Sequence, residues 1–219
     1  MYELQQLSDR LALVNIKDQK IKPIAVDFFS QELQYRCKLH NLRREALVKA
    51  IGNKYHNKQL TIIDTTAGFG NDAFMLATLG CKVLLIERSP IMSQLLQDGM
   101  KRAQYYKDIA HVIERMNFIT GDAIQILEVL PHEQYPDVVY LDPMFPERNK
   151  SALVKKEMRA LHYVVGGDPD CNRLLSIALK VAKLRVIVKR PRLAPAIDIN
   201  TAPSFTLKGT ACRFDVYLI

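Results

Sequence analysis

A chain of 219 residues is the size of one α/β domain, and its 48% hydrophobic content is enough for a packed core. A net charge of +8 favours an anionic partner, with nucleic acid ahead of membrane because no basic amphipathic anchor stands out. The four cysteines, Cys37, Cys81, Cys171 and Cys212, lack metal-ligand spacing, Met1 opens no signal-peptide pattern, and no apolar run is long enough to span a bilayer; buried thiols, no metal and a cytoplasmic protein are expected.

Residues 1–40 read as an N-terminal extension, a small β-ribbon with strands at 11–14 and 24–29, and residues 41–219 as the main domain. Leu42, Ala46, Leu47, Ala50 and Ile51 keep helical spacing up to Gly52. The run Leu60-Thr61-Ile62-Ile63-Asp64 is then a strand that ends in a carboxylate, followed by a small-residue turn with Gly68 and Gly70 and a helix starting at Asn71 or Asp72. Strand, glycine turn and helix in that order build a nucleotide-like site, with helix N–H groups facing the ligand. Gly68, Gly70 and Ala73 satisfy the looser dinucleotide fingerprint, so the spacing alone leaves a dinucleotide open. Asp64 at the strand end, with Thr65-Thr66-Ala67 before the glycines, instead resembles motif I of the class I S-adenosylmethionine-dependent methyltransferases.

Lys82-Val83-Leu84-Leu85-Ile86-Glu87 is the second strand, and its terminal Glu87 stands where an acidic residue accepts hydrogen bonds from ribose hydroxyls; Arg88 covers the adenine or anchors the loop. Ser89 and Pro90 open a helix to about Tyr105. Asn117 to Asp122 is the third strand and its exit, where Asp122 and Ala123 face the adenine and Asp122 doubles as a helix cap. The fourth strand, Pro136 to Leu141, delivers Asp142-Pro143-Met144-Phe145-Pro146. A helix over 150–165, another from Asp170 to Lys183, a fifth strand at 185–189 and a closing hairpin of 205–208 with 213–218 complete the chain. The alternation implies a mostly parallel, doubly wound sheet with an antiparallel C-terminal hairpin, the Rossmann-like plan of the class I methyltransferases.

Asp142 to Pro146 is the sharpest chemical feature, because it resembles the Asp/Asn-Pro-Pro-Tyr/Phe loop of enzymes that methylate exocyclic amino groups of bases. An amine conjugated to a purine is a poor nucleophile. The Asp142 carboxylate and a carbonyl of the Pro143 turn would orient its lone pair, and Phe145 would stack on an extruded base. Arg148 and Lys150 after this loop, and Lys189 and Arg190 after the fifth strand, are candidate contacts for RNA phosphates, with Arg36, Lys38, Arg43 and Arg44 extending them.

Together, the stretches Gly68 to Phe74, Leu85 to Arg88, Val139 to Pro146, Lys150 to Met158 and Val188 to Pro191 resemble the RsmJ family of bacterial 16S ribosomal RNA (guanine-N2)-methyltransferases over nearly the whole chain. The resemblance implies S-adenosylmethionine as donor, S-adenosylhomocysteine as product, and N2-methylguanosine in small-subunit rRNA. Cofactor contacts then fall at Asn71, Asp72, Glu87, Arg88, Asp122, Ala123 and Asp142, beside Asp64, Gly68 and Gly70 from the turn itself. A monomer is expected. The alternatives are an amino-group methyltransferase acting on DNA or protein, and an NAD-dependent oxidoreductase, which would leave Asp142 to Pro146 without a purpose.

Overall fold

The N-terminal residues form an antiparallel ribbon of β1 (Tyr2–Gln6) and β2 (Leu11–Asn15), which packs against the main body through the buried Ala12 and Leu13. The computed structural model describes residues 1–18, 20–52, 59–144, 167–197, 199–210 and 212–219. The ribbon is therefore made from 2–6 and 11–15, and residues 24–29 are not its second strand. Only Ile24 pairs with Leu13, after which the Asp27 carboxylate accepts from the Phe29 N–H at 2.9 Å and turns the chain. The segment packs as irregular backbone, with Val26 and Phe28 buried in the core.

The segment before the helix expected over 42–51 holds α1 (Gln31–Cys37), and the expected helix itself is interrupted, Leu42 closing α2 (Leu39–Leu42) and the rest forming α3 (Ala46–Ile51). The main sheet follows, with β3 (Thr61–Asp64), α4 (Asn71–Thr78), β4 (Lys82–Glu87), α5 (Pro90–Ala103), α6 (Lys107–Ile113), β5 (Met116–Thr120), α7 (Ala123–Glu128) and β6 (Val138–Leu141). After the residues outside the described set come α8 (Cys171–Val181), β7 (Arg185–Pro191), β8 (Phe205–Lys208) and β9 (Cys212–Leu218). The helix expected over 150–165 lies outside the described residues. As Ser89 and Pro90 predict, α5 starts at Pro90, with the Ser89 hydroxyl accepting from the Met92 N–H.

The strand order is β5-β4-β3-β6-β7-β9-β8, parallel from β5 through β7 and antiparallel at β7 with β9 and at β9 with β8. Strand alternation divides the core. Ile62, Val83, Leu85, Tyr140 and Ile187 face the helices α3 to α6, whereas Ile63, Ile86, Val139, Leu141, Val186 and Val188 face α7 and α8. The chain starts at β3, builds outward through β4 and β5, then returns to the other side of β3 as β6. The order reverses there, so a crevice opens beyond the carboxyl ends of β3 and β6.

Candidate active site

The crevice is a cavity of about 530 Å³, within the size range of small-molecule sites. Asp64, Gly68, Gly70, Asn71, Asp72, Glu87, Arg88, Asp122, Ala123, Asp142 and Pro143 all line it, so ligand residues chosen from four separate stretches of sequence converge. Phe145, Arg148 and Lys150 lie outside the described residues.

The turn after β3 needs glycine at two positions. Gly68 and Gly70 have φ of +52° and +72°, and a Cβ on Gly70 would meet Leu96 Cδ1 at 2.9 Å and Phe28 Cζ at 3.1 Å. The turn is thus seated on the ring of Phe28, which itself stacks on Phe74 of α4. Beside Gly68 a Cβ would meet only the Thr66 carbonyl within 4 Å, so this side of the turn is open for a ligand to lie against the backbone. The first N–H groups of α4 have no intrahelical acceptors and belong to the same turn.

Glu87 ties the second strand to this turn. Its carboxylate accepts from the Gly68 N–H at 2.9 Å and the Ser89 N–H at 2.8 Å. Burial pushes its carboxyl above the ordinary range, and these two N–H groups oppose that shift. Asp64, only 1% exposed, accepts from the Thr66 N–H at 3.1 Å; burial, then the neighbouring Asp72, Asp142 and Glu87, raise it well above a normal carboxyl. Asp122 caps α7 by accepting from the Ile124 N–H at 2.8 Å, and it also lines the cavity. Arg88 is an anchor: its guanidinium binds Asp170 at 3.0 Å, the Gly167 carbonyl at 3.2 Å, and Asp168.

The loops after β3 and β6 are stitched together. The Thr65 hydroxyl donates to the Tyr140 carbonyl at 2.9 Å, and the Asp142 N–H donates to the Thr66 hydroxyl at 2.6 Å. Asp168 holds the far side, accepting from the Met144 N–H at 2.6 Å while its own N–H donates to the Met144 carbonyl at 3.0 Å. Asp142 is consequently fixed by its backbone on both sides of the Pro143 turn.

Lys189 and Arg190 take other places than phosphate contacts would need. The Lys189 ammonium points into the cavity, 2.8 Å from Asp72 Oδ2 and 2.8 Å from Asp142 Oδ2. Arg190 is buried at 6% exposure, and its guanidinium donates to the Pro195 carbonyl at 2.6 Å and 3.0 Å. Tyr140 completes the cluster, its hydroxyl donating to Asp72 Oδ2 at 2.6 Å. Burial works against ionised Asp72, but Lys189 and then the Tyr140 hydroxyl outweigh it and hold the carboxyl below its usual value. Burial raises Asp142, and Lys189 counters it only in part. Tyr140, Thr66 and Asp168 were not among the candidate residues. A tyrosine inside a fully buried strand was the available signal, since a buried hydroxyl needs a partner.

Residues 1–219 match the family model described as "Putative SAM-dependent methyltransferase". The chain is 47% identical over 196 residues to the ribosomal RNA small subunit methyltransferase J of Thioalkalivibrio sulfidiphilus, covering 90% of this chain and 76% of that one. It is 44% identical to the protein of the same name from Hahella chejuensis, over 100% of this chain and 81% of the relative. The chain belongs to the ribosomal RNA small subunit methyltransferase J family. Among solved structures, a SAM-dependent methyltransferase from Neisseria gonorrhoeae superposes with a TM-score of 0.74 at 35% identity, covering 96% of this chain and 79% of that chain. For this member of the methyltransferase J family, the superposition extends over the parallel sheet and its antiparallel edge.

The residues suit S-adenosylmethionine. Glu87 offers carboxylate oxygens for ribose hydroxyls, and the open backbone at Gly68 with the α4 N-terminus suits the amino-acid end.

Proposed function

We propose that this protein transfers a methyl group from S-adenosylmethionine to the exocyclic N2 amine of a guanosine in 16S small-subunit ribosomal RNA. It works in the cytoplasm, as a monomer and without a metal ion. One observation carries the reading: the Asp142 loop and the glycine turn are hydrogen-bonded to each other through Thr66 and share one cavity. The names of the relatives support the RNA substrate.

Bound S-adenosylmethionine supplies an electrophilic methyl group on a sulfonium and leaves as S-adenosylhomocysteine. Asp64, Gly68, Gly70, Asn71 and Asp72 form its cradle, Glu87 takes the ribose, and Asp122 with Ala123 borders the adenine. Asp142 and the Pro143 carbonyl accept the two hydrogens of the guanine amine, which aims its lone pair and leaves Asp142 to take the proton released. Phe145 stacks on the base, an assignment made from the motif alone. Arg148 and Lys150 meet phosphates, joined by the basic α1–α2 region with Lys38, Arg43 and Arg44.

The test is incubation with tritiated S-adenosylmethionine and hypomethylated small subunits, with naked rRNA, DNA and bulk protein in parallel and EDTA in one arm. N2-methylguanosine as the labelled nucleoside, undiminished by EDTA, is expected. Label only in DNA or protein, or stabilisation of the protein by NADH and not by S-adenosylhomocysteine, overturns the reading.

A further inference from the structure

Lys189 sits one residue past the last β6 to β7 register pair, Leu141 with Val188, on the face of β7 shared by Ile187 and the α4 helix. A lysine that meets RNA phosphates has to present its ammonium to solvent. Here the side chain is 27% exposed and the ammonium bridges Asp72 Oδ2 and Asp142 Oδ2 at 2.8 Å each. The three residues come from α4, the β6 exit and β7, so the bridge joins the cradle side of the cavity to the acceptor side. Asp72 Oδ2 also takes the Tyr140 hydroxyl, which fixes the far end of the bridge in the buried core.

We propose that Lys189 is a positioning residue for methyl transfer: its ammonium ties Asp142 to Asp72 and holds the acceptor carboxylate in one rotamer facing the cavity. The inference rests on the function proposed above and adds to it which group sets the aim of Asp142. Two carboxylates brought this close repel, and without a cation between them one must turn away or take up a proton. Lys189 opposes both escapes. Asp142 Oδ2 is occupied by the ammonium, and Oδ1 has no hydrogen-bond partner among the described residues, which leaves it to accept from the guanine amine.

The titratable and charged groups facing Asp142 among the described residues are Lys189 on β7, Asp72 on α4, Asp168 before α8, Asp64 at the end of β3, Tyr140 on β6 and the Cys212 thiol on β9. Lys189 is the cation in this set. Removing it raises the Asp142 pKa, and because transfer needs the ionised carboxylate, the acid limb of the rate profile moves to higher pH.

Lys189→Met keeps the length of the side chain and removes the charge. With hypomethylated small subunits, we expect kcat to fall about 100-fold, the scale of lost alignment or proton transfer, with the acid limb of kcat displaced upward. Affinity for S-adenosylhomocysteine and for the subunit should each stay within about threefold, measured by calorimetry and filter binding, because neither contact is removed. A folded K189M variant with unchanged kcat overturns the proposal, as does a loss that appears only as weaker subunit binding. If Lys189→Met does not fold, Lys189→Arg is decisive. Retention of kcat within about tenfold, with the acid limb where the wild type has it, supports the role of charge; a displaced limb or an abolished kcat in folded protein refutes it. The wild type in the same assay carries the substrate reading. No N2-methylguanosine from the wild type sinks that reading, whereas an active wild type and an equally active K189M variant sink only the role of Lys189.

Discussion

On the proposed function, two carboxylates at strand ends divide the labour, and their variants should separate in kinetics. Asp142→Asn keeps the shape of the side chain but loses the charge that takes the amine proton. It should lower kcat about 100-fold or more while S-adenosylhomocysteine affinity stays within about threefold. Glu87→Gln should do the reverse, weakening the cofactor about tenfold or more with smaller effect on saturated turnover, since it acts on binding in ground and transition state alike. Calorimetry alongside single-turnover rates decides; equal effects of the two variants on both readouts would remove the assignment. Asp64 tests how far the site is held against its own stability. Burial, then Asp72, Asp142 and Glu87, raise its folded pKa above the unfolded value. The folded state therefore keeps the proton to higher pH, and the cost of the buried charge is absent below the unfolded pKa and grows as pH rises through the folded one. Asp64→Asn retains the acceptor for the Thr66 N–H and removes that charge. Its melting temperature should exceed the wild type's at pH 8, and the gap should close toward pH 4. A variant no more stable at pH 8 would mean that the carboxylate is better compensated than its surroundings imply.

At the scale of elements, the N-terminal segment is part of the site because it props up the glycine turn. Val26 lies where a Cβ on Gly99 of α5 would be, 2.3 Å from its Cγ1 and 2.6 Å from its Cβ, and two residues on Phe28 supports Gly70. Gly99→Ala should destabilise the protein by about 1–3 kcal/mol through overpacking, a melting shift of about 2–4 °C per kcal/mol, and weaken S-adenosylhomocysteine as well. Unchanged urea midpoint and unchanged affinity would show that the segment can shift without disturbing the turn. The close approach was not visible in the sequence, where Ile24 to Phe29 reads as a strand. The central strands were legible, because β-branched runs bounded by Gly, Pro and Asp are local signals. The short helix α6 was not assigned although Ile109, Val112 and Ile113 keep helical spacing, the pattern being only seven residues long. Side-chain partners were the least legible. Asp72 and Lys189 are 117 positions apart, and the pairing of β3 with β6 and of β6 with β7 brings them together.

For the whole molecule, the +8 charge sets the expected response to salt. Part of the basic complement is neutralised internally: Arg36 pairs with Glu45, Arg102 with Asp98, Arg173 with Glu128 and Arg213 with Asp215. Lys189 is committed to the cavity and Arg190 to the Pro195 carbonyl, so the two basic residues at the end of β7 add little to a phosphate footprint. On the proposed function, the attraction for RNA would rest on surface groups such as Lys38, Arg43 and Arg44, with Arg148 and Lys150 as candidates from the sequence. Each phosphate neutralised on a single strand contributes about −0.7 to the slope of log affinity against log salt, so five such contacts predict about a 100-fold loss between 50 and 200 mM monovalent salt. S-adenosylhomocysteine, held in a partly enclosed cavity by hydrogen bonds, should lose less than about threefold over the same range. Parallel titrations at constant magnesium measure both. If Lys38, Arg43 and Arg44 carry the footprint, replacing all three by Gln flattens the RNA slope by about 2 and leaves the cofactor curve alone. A slope that does not change would move the RNA away from the α1–α2 corner and onto some other part of the surface.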